Sequence, residues 1–159
     1  MKLPQLAATV VASALAAAPG HADPIPSHFE STGEDLKAIN TLLANYTKAV
    51  STKDQTLFET LLLDPSIPFA SIPAAGKTGA DHETRKYEAF RKAVFEGEPF
   101  TQQFRDVHIE QDGGLANVTL VFENARPTGK SWGWKTMHLL KVDGRWKIAS
   151  EFYSSHAVK

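Results

Sequence analysis

Residues 34 to 50 carry Leu36, Ile39, Leu42, Leu43, Tyr46 and Val50 at three- and four-residue spacing, with Lys37, Asn40 and Lys48 on the other side. That pattern predicts an amphipathic helix beginning near Glu34. Ser51-Thr52-Lys53-Asp54 interrupts it, and Asp54 suits the cap of a second helix whose buried stripe is Leu57, Phe58, Leu61 and Leu62. Pro65 and Pro68 stop that helix, and Phe69-Ala70-Ser71-Ile72 follows as a short strand. A loop over residues 73–78 leads to a third helix, capped at Asp81 with Thr84 three residues on, and running to about Phe95. Its apolar side is Tyr87, Phe90 and Val94, with Arg85, Lys86, Arg91 and Lys92 toward water, and Gly97-Glu98-Pro99 ends it.

Beyond residue 100 the period changes to two. Strands are expected over residues 104–111, 116–124, 132–142 and 146–155, joined by Asp112-Gly113-Gly114, a longer turn over residues 126–130, and Asp143-Gly144. Three helices followed by consecutive strands predict an α+β domain, a curved antiparallel sheet wrapped around three N-terminal helices, cone-like with an internal cavity.

The last hairpin allows a register to be written. With Val142 opposite Arg145, uninterrupted pairing sets Lys141 against Trp146, Leu139 against Ile148, Met137 against Ser150 and Lys135 against Phe152 on one face. The other face holds Leu140, His138, Thr136 and Trp134 opposite Lys147, Ala149, Glu151 and Tyr153. The first face, with Val118, Leu120 and Phe122, is expected to meet the helices. Candidate cavity linings are therefore Tyr46, Phe58, Phe69, Tyr87, Phe90, Met137, Ser150 and Phe152, an apolar cup with a few hydroxyls suited to a small molecule. The second face, with Trp134, His138, Glu151 and Tyr153, suits a subunit interface.

Composition adds the setting. The chain has 159 residues, 42% hydrophobic and 22% charged, which is one soluble globular domain with a real core. Residues 1–22 read as a secretory signal peptide: Lys2, an apolar run from Leu6 to Ala18, and small residues before a cut after Ala22. Residues 23–33 read as a leader and 34–159 as the domain. Export to the periplasm or beyond is expected, with no membrane attachment after signal removal. There is no cysteine for a disulfide or a lipid anchor. Net charge is −1 and no basic patch stands out, which argues against nucleic acid. The histidines lack ligand spacing, so no metal is expected, and no cofactor. Gly76-Lys77-Thr78-Gly79 lacks the glycine spacing and strand-to-helix context of a phosphate loop.

Ser51-Thr52-Lys53-Asp54, Leu63-Asp64-Pro65 and above all Leu140-Lys141-Val142-Asp143-Gly144-Arg145-Trp146-Lys147-Ile148 resemble the nuclear transport factor 2-like superfamily, over about residues 34–156. That superfamily includes ketosteroid isomerases, polyketide cyclases and lumazine-binding-like small exported proteins, and the resemblance implies a cone-shaped fold. Isomerase-type relatives carry a general-base carboxylate on the strand after the second helix, where Ile67-Pro68-Phe69-Ala70-Ser71-Ile72 offers no acid. Many relatives also place a His six residues after the hairpin Trp; here Phe152 stands there, with Ser154 two residues on. The expectation is an exported, homodimeric, non-catalytic module holding a small apolar or aromatic ligand, oriented by Tyr46, Tyr87 and Ser150. The alternatives are an isomerase, cyclase or dehydratase with rearranged groups, its proton carriers sought among His82, His108 and His138, and a protein-interaction module using the outer sheet face.

Overall fold

The computed structural model describes residues 28–73 and 87–158. The N-terminal apolar run, residues 23–27 of the leader, the Gly76-Lys77-Thr78-Gly79 loop, His82, and the Asp81 cap with Thr84 lie outside the described residues. Helix α1 spans Gly33–Thr52 and buries Ile39, Leu42, Leu43, Tyr46, Ala49 and Val50, the stripe its periodicity predicts with Ala49 added and Leu36 only half-buried. It ends at Lys53, whose φ of 56° turns the chain through the left-handed region. Asp54 then caps α2 (Gln55–Leu61) by accepting from the Leu57 N–H at 2.9 Å. Strand β1 is Phe69–Pro73. Helix α3 (Tyr87–Arg91) continues into a π-helical turn over Lys92–Glu96.

Strands β2 (Thr101–Asp112), β3 (Leu115–Arg126), β4 (Gly129–Val142) and β5 (Arg145–Ala157) form an antiparallel meander. The short β1 adds to its far side in parallel with β5, so the sheet is mixed, five-stranded, curved and unclosed, in the order β1-β5-β4-β3-β2. A bulge in β2, where Asp106 has a φ of 52°, shifts the pairing between Arg105 and His108. At the open edge of β2 the end of the leader is docked: Glu30 bridges Glu110, and the Gln111 N–H donates to the Phe29 carbonyl at 3.1 Å. Among the described residues no helix is long and apolar enough to cross a membrane.

The β4–β5 hairpin follows the expected register only halfway. Val142, Lys141, Leu140 and Leu139 pair with Arg145, Trp146, Lys147 and Ile148, but His138 pairs with Ser150. Ala149 is thus an extra residue, and every later partner moves by one: Met137 faces Glu151, Thr136 faces Phe152 and Lys135 faces Tyr153. The faces are exchanged beyond the bulge. Glu151 and Tyr153 turn toward the helices, Glu151 fully buried, while Phe152 is 37% exposed on the outer face and Ser150 joins His138 there. Main-chain bonds to the segment before β1 frame the bulge, from the Leu63 N–H to the Ile148 carbonyl and from the Glu151 N–H to the Pro68 carbonyl. Strict alternation has no means of foreseeing an inserted residue.

A polar clamp fastens the start of α1 to this hairpin. Asp35 Oδ1 accepts from Lys141 Nζ at 2.6 Å and from Trp146 Nε1 at 3.1 Å, and Oδ2 accepts from Gln111 Nε2 at 2.9 Å. These donors, Lys141 foremost, hold the Asp35 carboxyl below its ordinary value. A carboxylate whose folded pKa is depressed contributes stability in full above the unfolded value, and that contribution is lost as pH falls through the folded one. Asp35→Asn should therefore flatten the fall in melting temperature between about pH 5 and about pH 2. An unchanged pH profile would show that the clamp contributes nothing to acid sensitivity.

Gly133 is fixed by crowding. A Cβ there would stand 1.9 Å from the Ser154 carbonyl oxygen and 2.6 Å from the Phe122 ring. Because the nearest obstacle is backbone, Gly133→Ala should destabilise the fold by about 2 kcal/mol or more, read by urea denaturation.

Candidate functional site

The concave interior is not one open cavity. Phe58 lies with its ring centroid 4.9 Å from Tyr46, 5.2 Å from Phe90, 5.5 Å from Phe95 and 5.9 Å from Tyr87, and Phe69 packs 4.9 Å from Phe90. With Met137 these rings fill the space between helices and sheet. Tyr87 donates to Glu59 Oε1 at 3.1 Å, and burial with that carboxylate pushes its phenol upward. Of the eight residues expected to line a cavity, Phe90 alone reaches the cup described next; Ser150 and Phe152 lie on the opposite face. Of the four expected at an interface, Trp134 (52% exposed) and His138 are outside, while Glu151 and Tyr153 point inward.

The cup, about 320 Å³, opens where the π-helical turn passes over the ends of β2, β3, β4 and β5. Its walls are Phe90, Ala93, Val94, Phe100 and Phe122, and its polar groups are Gln102, Asn124, Arg126, Ser131, Lys135, Tyr153 and Ser155. Gln102 and Asn124 are register partners on β2 and β3, and Gln102 Nε2 donates to Asn124 Oδ1 at 2.8 Å. Gln102 Oε1, nine-tenths buried, has no partner. An unpaired buried amide oxygen costs about 1–3 kcal/mol, which a ligand or water donating to it would recover. Arg126 lies over the Phe100 ring with Cζ 4.3 Å from the centroid and donates to Ser131 Oγ at 3.3 Å.

Beneath the cup sits a buried charge cluster. Lys135 Nζ is 2.8 Å from Glu151 Oε1 and donates to the Tyr46 hydroxyl at 2.6 Å, which in turn donates to Glu151 Oε1 at 2.9 Å. All three side chains are essentially inaccessible. Four rings surround the ammonium, Tyr46 at 4.3 Å and Phe122, Phe104 and Tyr153 at 5.3 to 5.5 Å, each within cation–π range. Burial pushes the Lys135 amine downward against the opposing pull of Glu151, and burial beside Glu151 pushes the Tyr46 phenol well upward. Glu151 Oε2 has no partner. Sequence reasoning missed Gln102, Asn124, Arg126 and the Lys135–Glu151 pair. A signal for the pair existed: uninterrupted register already put Lys135 on the helix-facing side, where a lysine needs a carboxylate.

Among the described residues no group of His, Asp or Glu is arranged to hold a metal ion, and neither His108 nor His138 lines the cup. His138 Nδ1 lies 2.7 Å from Ser150 Oγ on the outer face, away from the cup. Three larger hollows, of about 480, 550 and 460 Å³, are open grooves: one at the end of the sheet beside Trp132, one between α1 and the β4–β5 turn, and one beside Glu59, Tyr87 and Arg91. Among the described residues no unpartnered buried side chain lines any of them.

The charge cluster makes a double-mutant test informative. Glu151→Leu alone strands a buried ammonium and should cost about 3–5 kcal/mol, whereas Lys135→Met with Glu151→Leu should recover most of that loss. Urea denaturation of the single and double variants measures both terms. A double variant destabilised by the sum of the losses of Glu151→Leu and Lys135→Met alone would show that the pair is not energetically coupled.

Residues 39–158 match the family model for the SnoaL-like domain. Among solved structures, a nuclear transport factor 2-like protein of unknown function from Shewanella baltica superposes with a TM-score of 0.60 at 16% identity, covering 79% of this chain and 98% of that one. A protein of unknown function with a cystatin-like fold from Nostoc punctiforme gives 0.62 at 10% identity, covering 80% and 95%. A third, nuclear transport factor 2-like and from Pseudomonas putida, gives 0.59 at 17% identity, covering 74% and 84%. At these identities the likeness is one of fold. No curated protein matches the sequence. On the family match over most of its length, with the α+β architecture behind it, the chain belongs to the SnoaL-like domain family of the nuclear transport factor 2-like superfamily.

Proposed function

We propose that this protein is a non-catalytic binding module that takes a small, flat organic molecule into the cup between the π-helical turn and the sheet. The observation that carries the reading is a concave, aromatic-walled space lined by the Gln102 side chain, which is nine-tenths buried and whose Oε1 has no partner. The ligand-contacting set on this reading is Phe90, Phe100, Gln102, Phe122, Arg126 and Tyr153, in place of the interior aromatics that the pattern alone suggested.

The ionisable groups support binding over catalysis. Lys135, Glu151 and Tyr46 bond to one another and are sealed from solvent, so none is presented to a reacting atom. Both described histidines that were candidate proton carriers, His108 and His138, are exposed and outside the cup. Export through the apolar N-terminal run belongs to the same reading, as does pairing of two copies across the outer sheet face. Support for the pairing comes from the exposure there of Trp132, Trp134 and Phe152.

A fluorescent aromatic probe, anilinonaphthalene sulfonate, should bind the protein with enhanced emission. Ala93→Trp, which places an indole across the cup from an exposed position, should abolish that binding while leaving the melting temperature unchanged. Equal emission with the variant would remove the cup as the binding site.

A further inference from the structure

The charges around the cup are unbalanced. Among the described residues no acidic side chain lines it, while two cations, Arg126 and Lys135, do. Lys135 is neutralised by Glu151. Arg126 takes part in no ion pair among the described residues; its guanidinium makes one bond, to Ser131 Oγ. Its place over the Phe100 ring leaves most of its N–H groups unused, and a guanidinium with free N–H groups can grip a carboxylate with two parallel bonds. A half-buried cation inside an apolar rim attracts an anion more strongly than a surface lysine does.

The second polar feature lies a short distance away. Asn124 and Arg126 are two apart on β3 and share its concave side, and Gln102 is the cross-strand partner of Asn124. Two strand positions span roughly 7 Å, which is the length of one six-membered ring with its substituents. At one end of that span is a donor fork with a positive charge, and at the other a lone acceptor, Gln102 Oε1. Phe90, Phe100 and Phe122 wall the space between them.

Resting on the binding reading above, we propose that the ligand is a small aromatic monocarboxylate bearing a hydroxyl or amino group. Its carboxylate sits on Arg126, and its ring donor bonds Gln102 Oε1. The ring occupies the apolar middle of the cup, and Lys135, held by Glu151, keeps the floor free of a repelling negative charge.

Displacement of the fluorescent probe, followed by calorimetry, tests the assignment with meta- and para-hydroxybenzoate, benzoate, benzamide and phenol. At least one hydroxybenzoate should bind about tenfold or more tightly than benzamide and phenol, the worth of one charge-assisted contact. Arg126→Gln should erase the preference for acids over benzamide. Gln102→Leu should erase the advantage of the hydroxylated acids over benzoate. In both variants, a native circular-dichroism spectrum and cooperative melting show that the fold is intact, and calorimetry reads the binding directly. Neutral compounds binding as well as the acids, or an acid preference that survives Arg126→Gln, would overturn the ligand class while leaving the binding reading in place. Failure of every compound to displace the probe would overturn both.

Discussion

A lysine on the concave side of a sheet must meet a carboxylate or lose its charge, and the far half of this fold is arranged around that requirement. Lys135 lies in the middle of β4, ringed by Tyr46, Phe104, Phe122 and Tyr153. Its counter-ion comes from β5 only because Ala149 is an inserted residue. Without the bulge, Phe152 would lie inward and Glu151 outward, leaving an ammonium buried among aromatic rings at a cost of several kcal/mol. The same bulge moves Phe152 onto the outer face and brings Tyr153 to the wall of the cup. One inserted alanine therefore sets the ion pair, one wall of the cup and part of the outer surface together.

The cup is what remains once the aromatic interior is filled. Tyr46, Phe58, Phe69, Tyr87 and Phe90 pack against one another edge-to-face, stacked or tilted, and fill most of the interior. Space opens further along, where the chain leaves α3 through the π-helical turn above the ends of the strands. There the sheet carries amide, hydroxyl and guanidinium groups in place of apolar ones. Division of the concave face into a dry half and a polar half lets one small domain hold both a core and a pocket.

Helical periodicity sufficed for α1 and α2, the turn pairs placed the meander, and Asp143-Gly144 set the near half of the last hairpin, because each of these is a local property. The strand faces beyond Ala149 were not legible, since a bulge inverts alternation and leaves no local mark. The parallel placement of β1 against β5 is likewise a tertiary choice, made through Pro68, Leu62 and Leu63. The cup escaped notice for a different reason: Gln102, Asn124 and Arg126 look like ordinary strand polar residues, and only their convergence across β2 and β3 gives them meaning.

The missing acid of β1 is answered from the neighbouring strand. Isomerase-type relatives are expected to carry a carboxylate on this strand, where Ala70 and Ser71 supply none; on β5 the register partner of Phe69 is Glu151 and that of Ala70 is Phe152. A carboxylate is therefore present beside the expected place, but its Oε1 is already held by Lys135 and Tyr46. A general base needs a lone pair directed at a substrate proton, and here that oxygen is already taken up by Lys135 and Tyr46 in a side chain closed to solvent. The charge that would have driven proton abstraction is instead spent neutralising Lys135. Among the described residues, the charge at the cup that enters no ion pair is that of Arg126, a group suited to holding an anion and not to moving a proton.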